Sequence, residues 1–148
     1  MKHLFIINPA AGSRNPTESY RKKIAEVCEQ RGIDYSIEVS GAPGQCRKIA
    51  NRAAESGEAY RIYACGGDGT LNEVVNGAAG HDHVAVTCVP KGTGNDFLKV
   101  FGEDYRTLFY DIEALAQGPQ TPFDVMDCNG HLGIDVVCCG ADARIGAG

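Results

Sequence analysis

Apolar and polar positions along the chain switch between two periods, and the switches mark out the elements. Residues 3–8 (HLFIIN) are apolar and β-rich and stop at Pro9, which predicts a strand running into a loop. Ile24, Val27 and Cys28 then recur at i, i+3 and i+4, which predicts a helix reaching about Arg31. Thr17 or Ser19 is its expected cap and Gly32 its C-terminal glycine. Residues 33–39 (IDYSIEV) alternate like a strand, and a second helix is predicted from about Pro43 to Ser56, with Cys46, Ile49, Ala50, Ala53 and Ala54 on one face. Residues 60–65 (YRIYAC) form the next strand, closed by GGDGT. Residues 70–79 suit a helix with Thr70 as its cap, and residues 84–89 (VAVTCV) a strand that ends at Pro90.

Strands and helices alternating in this way predict an α/β fold, a Rossmann-like and largely parallel sheet with helices on both faces. Beyond Asp96, residues 97–101 read as a short helical turn and residues 105–117 as a helix. The character then changes. Segments 121–129 and 131–139 are both strand-like and join at Asn129-Gly130, a strong hairpin signal. The expected organisation is an α/β domain over residues 1–120, with residues 121–148 as the first strands of a β-rich second domain that is cut off.

Composition narrows the class. The 148 residues include 19 acidic and 14 basic side chains, a net charge of −5, which argues against a strongly basic nucleic-acid-binding surface. No apolar run approaches the ~18 residues of a membrane-spanning helix. The amino terminus lacks the h-region and cleavage site of a signal peptide. The seven cysteines, at 28, 46, 65, 88, 128, 138 and 139, form no C-x-x-C pair, and several lie in apolar runs. They read as reduced, buried small hydrophobes of a cytoplasmic protein. The four histidines, His3, His81, His83 and His131, show no metal-ligand spacing.

The 19 glycines cluster where chemistry is expected. In open α/β sheets ligands bind at the carboxyl ends of strands. Four loops there are Asn8-Pro9-Ala10-Ala11-Gly12, the plainer Ser40-Gly41-Ala42-Pro43-Gly44, Gly66-Gly67-Asp68-Gly69-Thr70, and Pro90-Lys91-Gly92-Thr93-Gly94-Asn95-Asp96-Phe97. GGDGT offers unhindered backbone amides at a helix N-terminus, a setting that favours phosphate. A carboxylate among those amides makes sense beside Mg²⁺, or as acceptor of a proton from an attacking hydroxyl. The plain alternative is a tight turn with Asp68 capping the helix. A P-loop motif and a G-x-G-x-x-G opening the first helix are both absent from the sequence.

NPAAG, GGDGTLNEVVNG and PKGTGNDF, in that order and each after a strand, resemble the catalytic domain family of diacylglycerol kinases and related sphingosine and ceramide kinases. The resemblance covers essentially the whole chain. GGDGT alone also occurs in NAD kinases and 6-phosphofructokinases; its pairing with P-x-GTGND favours a lipid kinase. The resemblance implies an ATP-dependent transfer of the γ-phosphoryl group to the hydroxyl of a diacylglycerol-like lipid. It also implies a nucleotide cleft between two domains, the second an antiparallel β-sandwich whose opening matches Asp124 and Gly140-Ala141-Asp142-Ala143. A further catalytic acid usually follows that opening, so this chain is expected to be only the nucleotide-binding part.

The same resemblance assigns roles, each beside a plainer reading. Asp68 would be the catalytic base and, with Asp124, a Mg²⁺ ligand; otherwise Asp68 is a helix cap. Gly66, Gly67, Gly69 and Thr70 would surround the phosphates, and Gly92, Thr93 and Asn95 would complete the ATP pocket; otherwise they are glycine and Asx turns. Asn8 would bond a phosphate or the base while Gly12 lets its loop curl, or Asn8-Pro9 simply ends a strand. Ser40 stands where the family often has Thr near the phosphates, or initiates a helix. Glu73 would face the nucleotide, or be a solvated helix carboxylate. Apart from the resemblance, Phe97, Leu98, Val100 and Phe101 form an apolar cluster beside GTGND that would touch a lipid tail or membrane surface, or pack in the core. Peripheral membrane contact and a homodimer formed through an exposed sheet edge complete the expected partners. An NAD kinase relative and a nucleotide-binding module without catalysis remain as competing readings.

Overall fold

Apolar side chains on both faces of a strand demand cover on both faces, and β1 (Lys2–Ile7) is built that way: Leu4, Phe5, Ile6 and Ile7 are all buried. Full burial of each such side chain contributes about 1.5–3 kcal/mol. The computed structural model describes residues 1–91, 97–102, 105–122 and 125–133. The chain continues through α1 (Thr17–Arg31), β2 (Tyr35–Val39), α2 (Gln45–Glu55), β3 (Tyr60–Gly66), α3 (Asp68–Ala78) and β4 (Val84–Pro90). A single 3₁₀ turn (Phe97–Phe101), α4 (Tyr105–Phe109), α5 (Ile112–Gln117), β5 (Met126–Cys128) and β6 (His131–Gly133) follow.

The four long strands form a parallel sheet in the order β2-β1-β3-β4. Alternation along the strands sorts the core into two layers. Leu4, Ile6, Ile62, Ala64 and Cys88 pack with Cys46, Ile49 and Ala50 of α2 and Leu71 and Val74 of α3. Phe5, Ile7, Tyr63, Cys65 and Val89 pack with Tyr20, Ile24 and Cys28 of α1 and Ile112 of α5. The expected α/β sheet with helices on both faces is therefore what the chain forms.

Chain direction across the sheet reverses at β1. From β1 the chain passes under α1 to β2 at one edge, then returns over α2 to β3 on the other side of β1. The loops leaving β1 and β3 therefore part to opposite faces, and a crevice opens between them at the carboxyl ends of the strands.

Several boundaries differ from expectation for local reasons. Neither Thr17 nor Ser19 caps α1. Pro16 holds the N-cap position, and the Oδ1 of Asn15 accepts from the Thr17 amide at 3.0 Å and the Thr17 hydroxyl at 2.6 Å. Gly32 does end the helix, in the left-handed conformation at φ 64°. The single helix expected over 105–117 is two, because Asp111 turns extended and its Oδ1 accepts from the Ala114 amide at 3.1 Å, capping α5. The hairpin at Asn129-Gly130 forms as predicted: β5 and β6 pair antiparallel, with φ of 52° and 84° at the turn. Cys28, Cys46, Cys65 and Cys88 are free and buried, and burial pushes the Cys88 thiol up to about 12. Among the described residues no helix is long and apolar enough to cross a membrane.

Candidate functional site at the carboxyl ends of the strands

The glycine turn after β3 occupies the crevice. Thr70 is not a cap: α3 starts two residues earlier, at Asp68, with Gly67 extended at the N-cap and no side-chain cap bond. Thr70 instead lies buried in the first turn, where its Oγ1 accepts from the Asn8 amide nitrogen at 3.1 Å. The Asn8 Oδ1 in turn accepts from the Ala10 amide at 3.0 Å, and its backbone amide donates to the Cys65 carbonyl at 3.1 Å. Asn8 therefore fastens the β1 loop to the β3 turn across the switch point.

The glycines divide by what requires them. A Cβ on Gly66 would stand 2.4 Å from the Thr70 hydroxyl, and one on Gly77 would stand 2.2 Å from the Arg47 carbonyl where α2 and α3 cross. The chain's own packing explains both. Gly67 and Gly69 have no such reason: a Cβ at either meets nothing within 4 Å, and neither carries a positive φ. Gly69 moreover sits inside a helix, where glycine costs about 0.5–1 kcal/mol relative to alanine. The bare backbone at these two positions faces open space.

Asp68 stands between them, half-buried at the first position of α3, and its Oδ1 accepts from the Phe97 amide at 3.4 Å. It does not cap its own helix. Its negative charge adds to burial in raising Cys88. Gly12 closes the β1 loop at φ 77° and lies against the aliphatic stem of Lys91.

Ser40 and Glu73 form a neighbouring set on the β2 side. Ser40 is buried, and its amide donates to the Ile7 carbonyl at 2.9 Å. Burial pushes the neighbouring Cys46 thiol upward; the Ser40 hydroxyl opposes that shift and the Glu73 carboxylate adds to it. The Glu73 Oε1 also accepts from the Gly44 amide at 3.2 Å, tying α3 to the start of α2. Asn8, Gly12, Gly66, Gly67, Asp68, Gly69 and Thr70 thus gather around one crevice, with Ser40 and Glu73 buttressing it from the side. Gly92, Thr93, Asn95 and Asp124 lie outside the described residues, as does the 140–143 segment.

Two contributors escaped the sequence reading. Lys91 lies within PKGTGNDF, yet only the fold brings it to Gly12. Asn76, on α3, holds β6 by both backbone groups of Leu132, donating to its carbonyl at 2.9 Å and accepting from its amide at 2.8 Å. The helix that begins with Asp68 therefore carries the hairpin further along. Of the apolar cluster, Leu98 is core, Phe97 packs against it, and Phe101 is 47% exposed with its ring against Phe97 and Phe109.

An open parallel α/β sheet, with bare glycine backbone and one carboxylate at its switch point, defines the class of this protein. The chain matches the diacylglycerol kinase catalytic domain family over residues 2–128 and belongs to it. It is 33% identical over 135 residues to a diacylglycerol kinase of Bacillus subtilis (strain 168), covering 88% of this chain and 43% of that protein. A crystal structure of a diacylglycerol kinase from Bacillus anthracis str. Sterne superposes with a TM-score of 0.65 at 26% identity, covering 99% of this chain and 52% of the other. The chain spans about half the length of the relatives it matches.

Proposed function

We propose that this chain is the nucleotide-binding part of an ATP-dependent lipid kinase that passes the γ-phosphoryl group of ATP to the hydroxyl of a diacylglycerol-like lipid. One observation carries the reading: Gly67 and Gly69 leave backbone open on either side of Asp68, although neither packing nor φ requires glycine there. Phosphate oxygens approaching those amides would meet the positive end of the 11-residue α3. Phosphoryl transfer depends mainly on positioning and charge neutralisation, which suits a site of amides and one acid. Family membership and the similarity to proteins named diacylglycerol kinase support the choice of acceptor.

Mg²⁺ fits the residues present. Among the described residues no three histidine, cysteine or carboxylate side chains converge to cage a metal. Mg²⁺ needs only one or two carboxylates when substrate phosphates complete its shell, and Asp68 is suitably placed. Held by Asp68 together with the substrate phosphates, the ion would offset the negative charge of the transferring group. Asp68 would accept the proton of the attacking lipid hydroxyl, or orient that hydroxyl, while Asn8 and Thr70 hold the turn's shape. The β5–β6 hairpin, fastened through Asn76, would be the start of the second domain.

Asp68→Asn keeps the size of the side chain and removes its basicity. In the protein as its gene encodes it, transfer from ATP to diacylglycerol should fall at least about a hundredfold. Its urea midpoint should stay close to that of the unaltered protein. Turnover near the starting level would end the assignment of Asp68. Running diacylglycerol, a sphingoid base and NAD as parallel acceptors separates the lipid kinase from an NAD kinase relative. Binding of ATP without transfer to any of them identifies a module.

A further inference from the structure

Lys91 is the first residue after β4, and its amide donates to the Gly66 carbonyl at 3.2 Å, so its backbone is fixed to the glycine turn. Its side chain leaves in a defined direction. A Cβ at Gly12 would stand 3.4 Å from the Lys91 Cγ and 3.7 Å from its Cε, so the stem runs along Gly12 almost to its end. Gly12 belongs to the loop after β1, and β3 lies between β1 and β4. Neighbouring strands stand about 4.8 Å apart, so β1 and β4 are roughly twice that distance from each other. The β1 loop and the Lys91 stem therefore meet across the carboxyl end of β3, where Gly66, Gly67 and Asp68 lie. The residue is exposed, and among the described residues its ammonium has no carboxylate partner.

From this placement we infer that Lys91 is a polyphosphate-binding cation of the site, spanning the glycine turn and setting the position of the phosphate chain over Asp68. The inference rests on the nucleotide reading above and adds to it the residue that supplies positive charge. A polyphosphate brings several negative charges to a chain whose net charge is −5, beside a carboxylate. Backbone amides orient it, but a full charge on the opposite wall both attracts it and fixes its register. Gly12 has a second use in this light. Any side chain there would be strained at φ 77° and would press on the lysine stem.

The test compares binding of sodium tripolyphosphate and of MgATP to the protein as its gene encodes it, by calorimetry at low salt. Lys91→Met retains the stem's contact with Gly12 and removes the charge. It should weaken both ligands about tenfold, with a deficit that shrinks as salt is raised. Lys91→Arg should restore binding to within about threefold, since it restores the charge. Lys22→Met, on the exposed face of α1, removes the same net charge elsewhere and should bind as the unaltered chain does. Equal affinity for Lys91→Met and the unaltered chain overturns the inference and leaves the nucleotide reading standing. Equal losses in Lys91→Met and Lys22→Met overturn it as well, by reducing the effect to net charge. If the unaltered protein as its gene encodes it binds neither ligand, the nucleotide reading and this inference fall together.

Discussion

The two ends of β3 carry opposite designs. Near its start Arg61 is 8% exposed and its guanidinium makes three hydrogen bonds to backbone carbonyls. It donates to the carbonyls of Leu115, Ala116 at 2.7 Å and Gly118 at 2.9 Å, two in the last turn of α5 and one at its C-cap. Those carbonyls have no intrahelical partner, and a cation there also complements the helix dipole. Past the other end, Gly67 and Gly69 flank Asp68, and a Cβ on either would meet open space. One charge closes a helix end against the sheet; the other stands where backbone is left uncovered. A charge held by its own protein's carbonyls marks architecture, whereas a charge among glycines that packing does not require marks a place for a ligand.

The strongest test of that contrast removes Arg61. Arg61→Met keeps much of the stem and deletes the donors, leaving α5's C-terminal carbonyls unsatisfied in a buried setting. Losing a charged hydrogen-bond network of this kind costs about 3 kcal/mol. Urea denaturation should show that loss, while the fraction still folded binds MgATP with unchanged affinity. A small stability change with a large affinity change would invert the roles given to the two ends.

Gly69→Ala probes the other end and should act in the opposite sense. The position is helical with a normal φ, and a Cβ there meets nothing in the protein. Alanine should therefore stabilise the fold by about 0.4–1 kcal/mol. The same methyl group stands where phosphate would approach, so MgATP affinity should fall about tenfold, or ~1.4 kcal/mol. Stabilisation with intact affinity would show that the open space is incidental.

How much of this was legible in sequence depends on the range of the interaction. The alternation of strands and helices was, because burial on a sheet or helix face has a fixed period. GGDGT and the Asn129-Gly130 turn were, because glycine and asparagine carry their backbone preference with them. Boundaries failed where a neighbouring side chain competed locally: Asn15 outdoes Thr17 and Ser19 at α1, and Asp111 splits the helix expected over 105–117. Residue partnerships across the fold were not legible. Glu73 meets Gly44 and Arg61 meets Leu115 only after the sheet has formed, 29 and 54 residues apart in the chain. Gly66 and Gly77 look like Gly67 and Gly69 in sequence, and only coordinates separate the two that packing demands from the two it does not.

The smallest expected effect lies beside Arg61 and sharpens the description of that end. His3 pairs in register with Arg61, and its Nδ1 lies 2.7 Å from the Tyr63 hydroxyl. Burial lowers its pKa below the ordinary 6.5, and the Arg61 charge lowers it further. The unfolded chain then binds a proton on His3 at a pH where the folded chain does not. His3 therefore contributes stability that is fully present above the unfolded value of 6.5 and is lost as the pH falls through the lower folded value. His3→Gln keeps an acceptor for the Tyr63 hydroxyl and cannot titrate. Its Tm should fall less steeply than that of the unaltered chain as the pH is lowered from about 7 to about 5. Parallel curves would mean that the imidazole is protonated equally easily in both states, so that the Arg61 charge and the burial around it do not reach His3.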